Sequence, residues 1–421
     1  MGQVGFGCYR ISVRSQEHRK ALVYALQLGC PLLDTSANYT NGESEELIGS
    51  VLSEHTEFKP IIVTKAGYIQ GKNLEIISQL NSEGLAVEDL VDISNDLKHS
   101  IHPDFLKNQL DLSLERLKRS SVDVFLLHNS EYYFKSENSS QEEYYRRIEK
   151  AFRYLETEVV NGRIKSYGIS SNNFILPIDH KEVTDLTKVI AVANKISKKH
   201  HFTTIQFPFN LIEIGALEKL GEYGDQSLLE IAKAHGLTTM VNRPLNAFSN
   251  NQLVRLATYE FMTEKFFPEE AQKDFENAMK IIEEKWLTSD ANEDMDLRQV
   301  GMIKQFKELW NTLPSPDAVE QIYYGNFFPF LANLWGGAGL DKDQAAPFYK
   351  LFEHSQMFAR MHMTEKAQVF KKQATDVGLL DADTGRPFAV DVIESYLNYG
   401  FDYVLLGMKK EEYVKQVSHL F

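Results

Sequence analysis

Short apolar runs alternate with amphipathic stretches along most of this chain, and that alternation restricts the fold more than any other feature. Residues 4–7, 32–34, 61–65, 122–127, 166–169, 204–207 and 238–241 read as buried parallel strands. The intervening stretches have helical spacing. Residues 17–28 put Ala21, Leu22, Ala25 and Leu28 on one face, and residues 105–117 do the same with Leu106, Leu110, Leu114 and Leu117. Residues 141–160 and 228–234 are of the same type. After Asn246 the rhythm stops, and the next strand signal is residues 403–406, preceded by the helix-like stretch 387–398. Counting that run makes eight strands, and an alternating order of this length favours a (β/α)8 TIM barrel over an open doubly wound sheet. Periodicity alone does not decide between the two.

The gap, residues 249–386, is too long for an ordinary connection within a barrel. It has structure of its own. Phe275, Met279, Ile282 and Trp286 recur at helical spacing, as do Ile303, Phe306, Trp310 and Leu313, with an acidic loop expected at residues 288–296. The expectation is one barrel domain over residues 1–421 with a helical insertion between strand 7 and helix 7. Leaving a strand at its C-terminal end, the insertion is expected near a substrate entrance, as a lid, as a subunit contact or, the favoured reading, as ordinary packing against the barrel.

The formal net charge of −14, from 59 acidic and 45 basic residues, has the wrong sign for a phosphate-backbone partner, so nucleic acid is not expected. Cys8 and Cys30 are the only cysteines and make no disulfide framework. The apolar stretch 327–340 is broken by Asn333, Gly336 and Gly337 and falls short of the ~20 residues that span a bilayer. A cytoplasmic protein with no membrane partner is expected. A homo-oligomer is left open. His200-His201 and Met361-His362-Met363 lack an accompanying carboxylate or cysteine cluster, so no metal site is expected.

Chemistry concentrates at the strand ends. Asp34 ends the second strand in Leu33-Asp34-Thr35-Ser36-Ala37-Asn38-Tyr39, and Tyr39 follows on the loop. Lys65 ends the third strand and His128 the fourth. In a barrel all such ends converge on the catalytic face. Each residue has a bland reading as a cap, a packed ring, a surface charge or a structural imidazole, but their joint occurrence at matching strand ends does not. The set suits carbonyl reduction. Hydride arriving at a carbonyl carbon leaves charge on oxygen, and Tyr39 is the candidate proton donor. A phenol with a pKa of about 10 is a poor acid or base unaided. Lys65 is expected to lower it, with Asp34 holding Lys65 charged and His128 orienting the carbonyl. Tyr9 is a candidate wall of the substrate pocket.

The stretch Asp34–Gly49, D-T-S-A-N-Y-T-N-G-E-S-E-E-L-I-G, resembles the signature of the aldo-keto reductase family. Gly5-Phe6-Gly7-Cys8-Tyr9, residues 110–128 and Gly162-Arg163-Ile164-Lys165 leading to Gly168-Ile169-Ser170 are similar to that family's first, fourth and fifth strand regions. The resemblance covers roughly the first 250 residues and, weakly, the last 35. It implies a small aldehyde, ketone, sugar-like or alcohol substrate and an extended nicotinamide cofactor, NADP(H) in preference to NAD(H), bound without a Rossmann fold. The family's four catalytic residues fall on Asp34, Tyr39, Lys65 and His128. Its carboxamide contacts fall on Ser170, Asn172, which stands in because Ser171 occupies the usual Asn place, and Gln206. Its seventh-strand end falls on Asn242, Arg243, Pro244 and Leu245, where the aromatic platform that commonly stacks on the ring is missing. Its 2′-phosphate contact falls on Lys409, beside Lys410, at the start of a helix but close to Glu411 and Glu412. The missing platform and the long insertion leave an alternative open, a non-catalytic nucleotide-sensing or regulatory barrel of the same family.

Overall fold

The computed structural model describes every residue except Met1 and residues 83–87, 220–224, 250–251, 260–262, 264, 289–296, 338 and 381–383. The strands are β1 (Gln3–Gly7), β2 (Leu32–Asp34), β3 (Ile61–Ala66), β4 (Tyr68–Ile69), β5 (Val91–Ser94), β6 (Leu97–His99), β7 (Val122–His128), β8 (Ile164–Ser170), β9 (Phe202–Pro208), β10 (Thr238–Asn242), β11 (Asn246–Ser249), β12 (Gln252–Arg255) and β13 (Tyr403–Leu406). Eight of them close a parallel barrel in the order β1-β13-β10-β9-β8-β7-β3-β2. The closing seam pairs the first strand with the last, from Gln3 opposite Tyr403 to Phe6 opposite Leu406. The barrel is therefore the closed (β/α)8 form, not the open sheet that the same periodicity permits.

Helices α1 (Gln16–Gln27), α2 (Glu43–Glu54), α3 (Lys72–Ser82), α4 (Pro103–Leu117), α5 (Gln141–Val160), α6 (Leu186–Ile196) and α7 (Leu228–Ala234) alternate with the barrel strands, α3 and α4 both lying between β3 and β7. Their starts carry the usual signals. Ser15, Ser140 and Ser227 accept backbone N–H groups at the first turns of α1, α5 and α7. Pro103 opens α4, where its missing N–H costs nothing.

The barrel interior explains why the polar residues stand where they do. Leu32, Val63, Val124, Leu126, Met240 and Leu405 pack together, with Ile61 and Tyr403 against them. Side chains alternate across a strand. Two positions further along the same inward rows come Asp34 after Leu32, Lys65 after Val63 and His128 after Leu126. The apolar plug thus ends in a polar layer at the C-terminal rim.

Two small sheets escaped the reading of the sequence: an antiparallel one of order β4-β6-β5, between β3 and α4, and the pair β11-β12. Their strands are two to four residues long, too short for alternation to register.

The chain divides into two compact units, Met1–Val254 with Val390–Phe421, and Arg255–Ala389. The second is helical, with its main helices at Pro268–Leu287, Leu297–Leu309, Pro316–Ile322, Phe328–Leu334 and Lys342–Asp376. It buries its own apolar cluster. Phe275 stacks on Trp310 at 4.5 Å and Phe306 on Phe327 at 3.9 Å. Apart from Thr288, the acidic loop expected at residues 288–296 lies outside the described residues.

Candidate active site at the barrel rim

Lys65 is wholly buried, and its ammonium has three hydrogen-bond acceptors: Asp34 Oδ1 at 2.8 Å, Asp34 Oδ2 at 2.9 Å and the Thr35 carbonyl at 2.7 Å. An ammonium has three protons, so each has an acceptor. Asp34 is held from the other side. Gln206 Nε2 donates to its Oδ1 at 2.8 Å, and Ser170 Oγ donates to Gln206 Oε1 at 2.9 Å. Ser170 and Gln206, expected at the carboxamide, are thus also the support of the Asp34 carboxylate.

The strand that carries Lys65 is anchored through its neighbour. Thr64 donates to the buried Glu45 of α2 at 2.5 Å, and Glu45 takes the Arg116 guanidinium of α4 at 2.6 and 2.7 Å. The two helices approach so closely that a Cβ at Gly49 would lie 2.2 Å from the Arg116 carbonyl oxygen. The Glu and Gly of the quoted signature therefore brace the site without entering it.

Tyr39 follows β2 in a tight turn in which Thr40, Asn41 and Gly42 all have positive φ. Thr40 Oγ1 donates to the Ile11 carbonyl at 2.7 Å and pins the turn. The Tyr39 ring meets Tyr9 edge-on at 5.0 Å and His128 at 5.9 Å, and the Lys65 ammonium lies 5.0 Å from its centroid. The phenol pKa is pushed well above its ordinary value, by burial first and then by the charge of Asp34, with Tyr9 and Cys8 adding to it. This corrects the expectation that Lys65 lowers it. Asp34 neutralises the ammonium through both oxygens, so the phenolate gains little from Lys65, while burial penalises it in full. The Tyr39 phenol is therefore held neutral.

His128 is neutral as well. Burial holds its imidazole well below the usual range, and the charge of Lys65 and the neighbouring His99 add to that. Tyr68 meets its ring edge-on at 4.7 Å. Tyr9 lies beyond β1 and is 60% exposed, an open position beside Tyr39.

The remaining rim positions are spread around the barrel mouth. Asn172 Oδ1 accepts from Arg243 Nη2 at 3.4 Å, and Arg243 pairs with Glu213 at 3.0 Å. Asn242 ends β10, and its Oδ1 is buried without a hydrogen-bond partner. Pro244 and Leu245 continue that turn, Pro244 buried and Leu245 half-buried. Lys409 is half-buried, and its charge helps to lower the pKa of His18, after burial. Lys410 is engaged with Glu17 at 3.4 Å.

One group here had no place in the sequence reading. Glu131, three residues after His128, is buried; its Oε1 accepts the Asn172 N–H at 2.8 Å, and its Oε2 has no partner. Burial raises its carboxyl to about 7, against the lowering effect of the Asn172 bond, of Ser171 and of Arg243. Between the ordinary carboxyl value of about 4.5 and that value, the folded protein holds a proton that the unfolded chain has lost. Stability therefore falls as pH rises through the window, by roughly 3 kcal/mol in all. Glu131→Gln keeps the acceptor for Asn172 and cannot ionise. It is expected to match the wild type at about pH 5 and to exceed it at about pH 8 in urea unfolding. Parallel stability curves for the two proteins would contradict the assignment.

A model of the aldo/keto reductase family matches residues 2–285. The chain belongs to that family. Among its relatives, the aldo-keto reductase yakc [NADP(+)] of Schizosaccharomyces pombe is 30% identical over 172 residues, 40% of this chain and 42% of that protein. The match thus spans less than half of that curated relative. Similar solved structures include the glycerol dehydrogenase AKR11B4 of Gluconobacter oxydans, 15% identical, covering 99% of this chain and 86% of that one with a TM-score of 0.46. An aldo/keto reductase of Klebsiella pneumoniae in complex with NADP and acetate is 17% identical over 58% of this chain and 64% of that one, with a TM-score of 0.37. No described helix of this aldo/keto reductase is long and apolar enough to cross a membrane.

Proposed function

We propose that this protein is an NADP(H)-dependent oxidoreductase that reduces the carbonyl group of a small aldehyde, ketone or sugar-like substrate, in which residues 249–386 are an insertion into one barrel domain. The observation that carries the reading is the polar layer on top of the barrel core: Asp34 on Lys65, with Tyr39 5.0 Å above the ammonium and His128 across from it. A bound reduced nicotinamide supplies hydride to a carbonyl carbon. What the chain supplies is a proton and a place for the oxygen. Tyr39, neutral because burial disfavours its phenolate, is the proton donor. His128, neutral and edge-on to Tyr39, orients the carbonyl. Lys65, held in place by Asp34, is the positive group that faces Tyr39 once its proton has left, an effect that the paired Asp34 carboxylate keeps small. A phenol kept protonated suits reduction better than alcohol oxidation.

The residues fit the cofactor's polar groups. Asn242 Oδ1 is a buried acceptor without a donor, and a carboxamide has an N–H₂ to give. Ser170, Asn172 and Gln206 are the further carboxamide candidates, with Arg243, Pro244 and Leu245 on the ring side. Lys409 is our assignment for the 2′-phosphate, since Lys410 is paired with Glu17. The relative's printed name, with NADP(+) in it, agrees with this preference.

The test is direct. Purified protein, NADPH and a panel of aldehydes and ketones are mixed, and loss of the reduced cofactor's absorbance is followed, with NADH in parallel. Turnover with NADPH exceeding that with NADH is expected. Tight nucleotide binding with no turnover on any carbonyl would move the protein to the non-catalytic reading.

A further inference from the structure

We propose that Ser36 is a positioning residue that sets which ring nitrogen of His128 carries the proton; the consequence for catalysis rests on the reading of the rim as a carbonyl reductase. Ser36 lies two residues after Asp34 and is fully buried. Its Oγ is 3.0 Å from His128 Nδ1. A neutral imidazole has one N–H, so one nitrogen donates and the other accepts. To donate to a carbonyl oxygen, His128 must carry its proton on Nε2. Nδ1 must then accept, and Ser36 Oγ–H is the donor in reach.

The hydroxyl has one proton and two competing acceptors, Asn38 Oδ1 at 2.6 Å and the Lys65 carbonyl at 3.1 Å. The Lys65 carbonyl does not need it, because it already accepts the Ala37 N–H at 3.0 Å. Asn38 is a side-chain amide. Turned about its last bond it presents Nδ2, donates to Ser36 Oγ, and sends the Ser36 proton on to His128. The opposite assignment, with Nδ1–H donating to Ser36, leaves Nε2 a bare acceptor that repels a carbonyl oxygen.

The backbone and the plane of the ring are held in place, and the Nδ1 contact with Ser36 fixes which edge faces it. His99 Nε2 donates to the His128 carbonyl at 2.7 Å, an approach that exists because Gly67 is there: a Cβ at Gly67 would lie 2.6 Å from His99 Nε2 and 2.3 Å from the His128 carbonyl oxygen. Tyr39 and Tyr68 meet the ring edge-on from 5.9 and 4.7 Å. With backbone and ring faces held, the tautomer is decided at Nδ1.

The experiment uses the full chain with ¹⁵N-labelled histidine, the His128 signals being assigned by their loss in a His128→Gln variant. The expected wild-type pattern is protonated Nε2 and bare Nδ1. Ser36→Ala is expected to shift it toward Nδ1–H and to lower kcat about 10- to 100-fold, with KM for NADPH unchanged. Ser36→Thr, which keeps the hydroxyl, restores both. A wild type that carries Nδ1–H overturns the proposal whatever the variants do, and so does a Ser36→Ala protein with unchanged His128 signals. Absence of turnover in the wild type, with a tautomer that still depends on Ser36, supports the positioning role and sinks the carbonyl-reductase reading instead.

Discussion

Tyr39→Phe is expected to lower kcat for carbonyl reduction by about 10²- to 10⁴-fold, the usual worth of a positioned proton donor. The substitution removes one oxygen and keeps the ring, so the edge contacts with Tyr9 and His128 and the ammonium over its face remain. Folding should be untouched, and the unfolding midpoint should stay near that of the wild type. Affinity for NADPH should change little, since the role proposed for the phenol is on the substrate oxygen. A Phe variant with full turnover would remove Tyr39 from the chemistry. The burial that keeps the phenol protonated also makes its loss costly. Water reaching the same spot would have to be placed and oriented without the turn that pins Tyr39.

Asp34→Ala is expected to cost about 3–5 kcal/mol of stability, and to abolish turnover as well. Lys65 is fully buried, and two of its three acceptors belong to that one carboxylate. Removing Asp34 leaves an ammonium in the barrel with the Thr35 carbonyl, and it strips Gln206 Nε2 of its acceptor. The informative comparison is the double variant Asp34→Ala with Lys65→Met. With the charge gone, the remaining penalty is a cavity and an idle amide, so the double variant should be more stable than Asp34→Ala alone. Urea unfolding of wild type, both single variants and the double variant closes the cycle. If the double variant is as unstable as the sum of the singles, the pair is not the energetic unit described here.

Much of the scaffold could be read from the residues. The strand β2 (Leu32–Asp34) and the final strand β13 (Tyr403–Leu406) have the bounds of the apolar runs read from the sequence, and the other barrel strands differ by a residue or two at their ends. The placement of Asp34, Lys65 and His128 at one rim follows from their standing at strand ends, and in the structure each continues a row of inward apolar side chains. Ser36 sat in plain view within D-T-S-A-N-Y, and Glu131 three residues beyond His128. Nothing local marks either, since a Ser near a turn is an ordinary turn residue and a Glu among tyrosines looks solvated.

The chain's own pattern determined the number and order of the barrel strands and the residue types at their ends, because both depend on neighbours a few positions away. Closure between β1 and β13, the sharing of Asp34 between Lys65 and Gln206, and the upward displacement of the Tyr39 pKa were decided in three dimensions. Each of these is a through-space quantity. A charge is worth what its distance and burial make it, and residues 34 and 206 become neighbours only once the sheet has closed on itself.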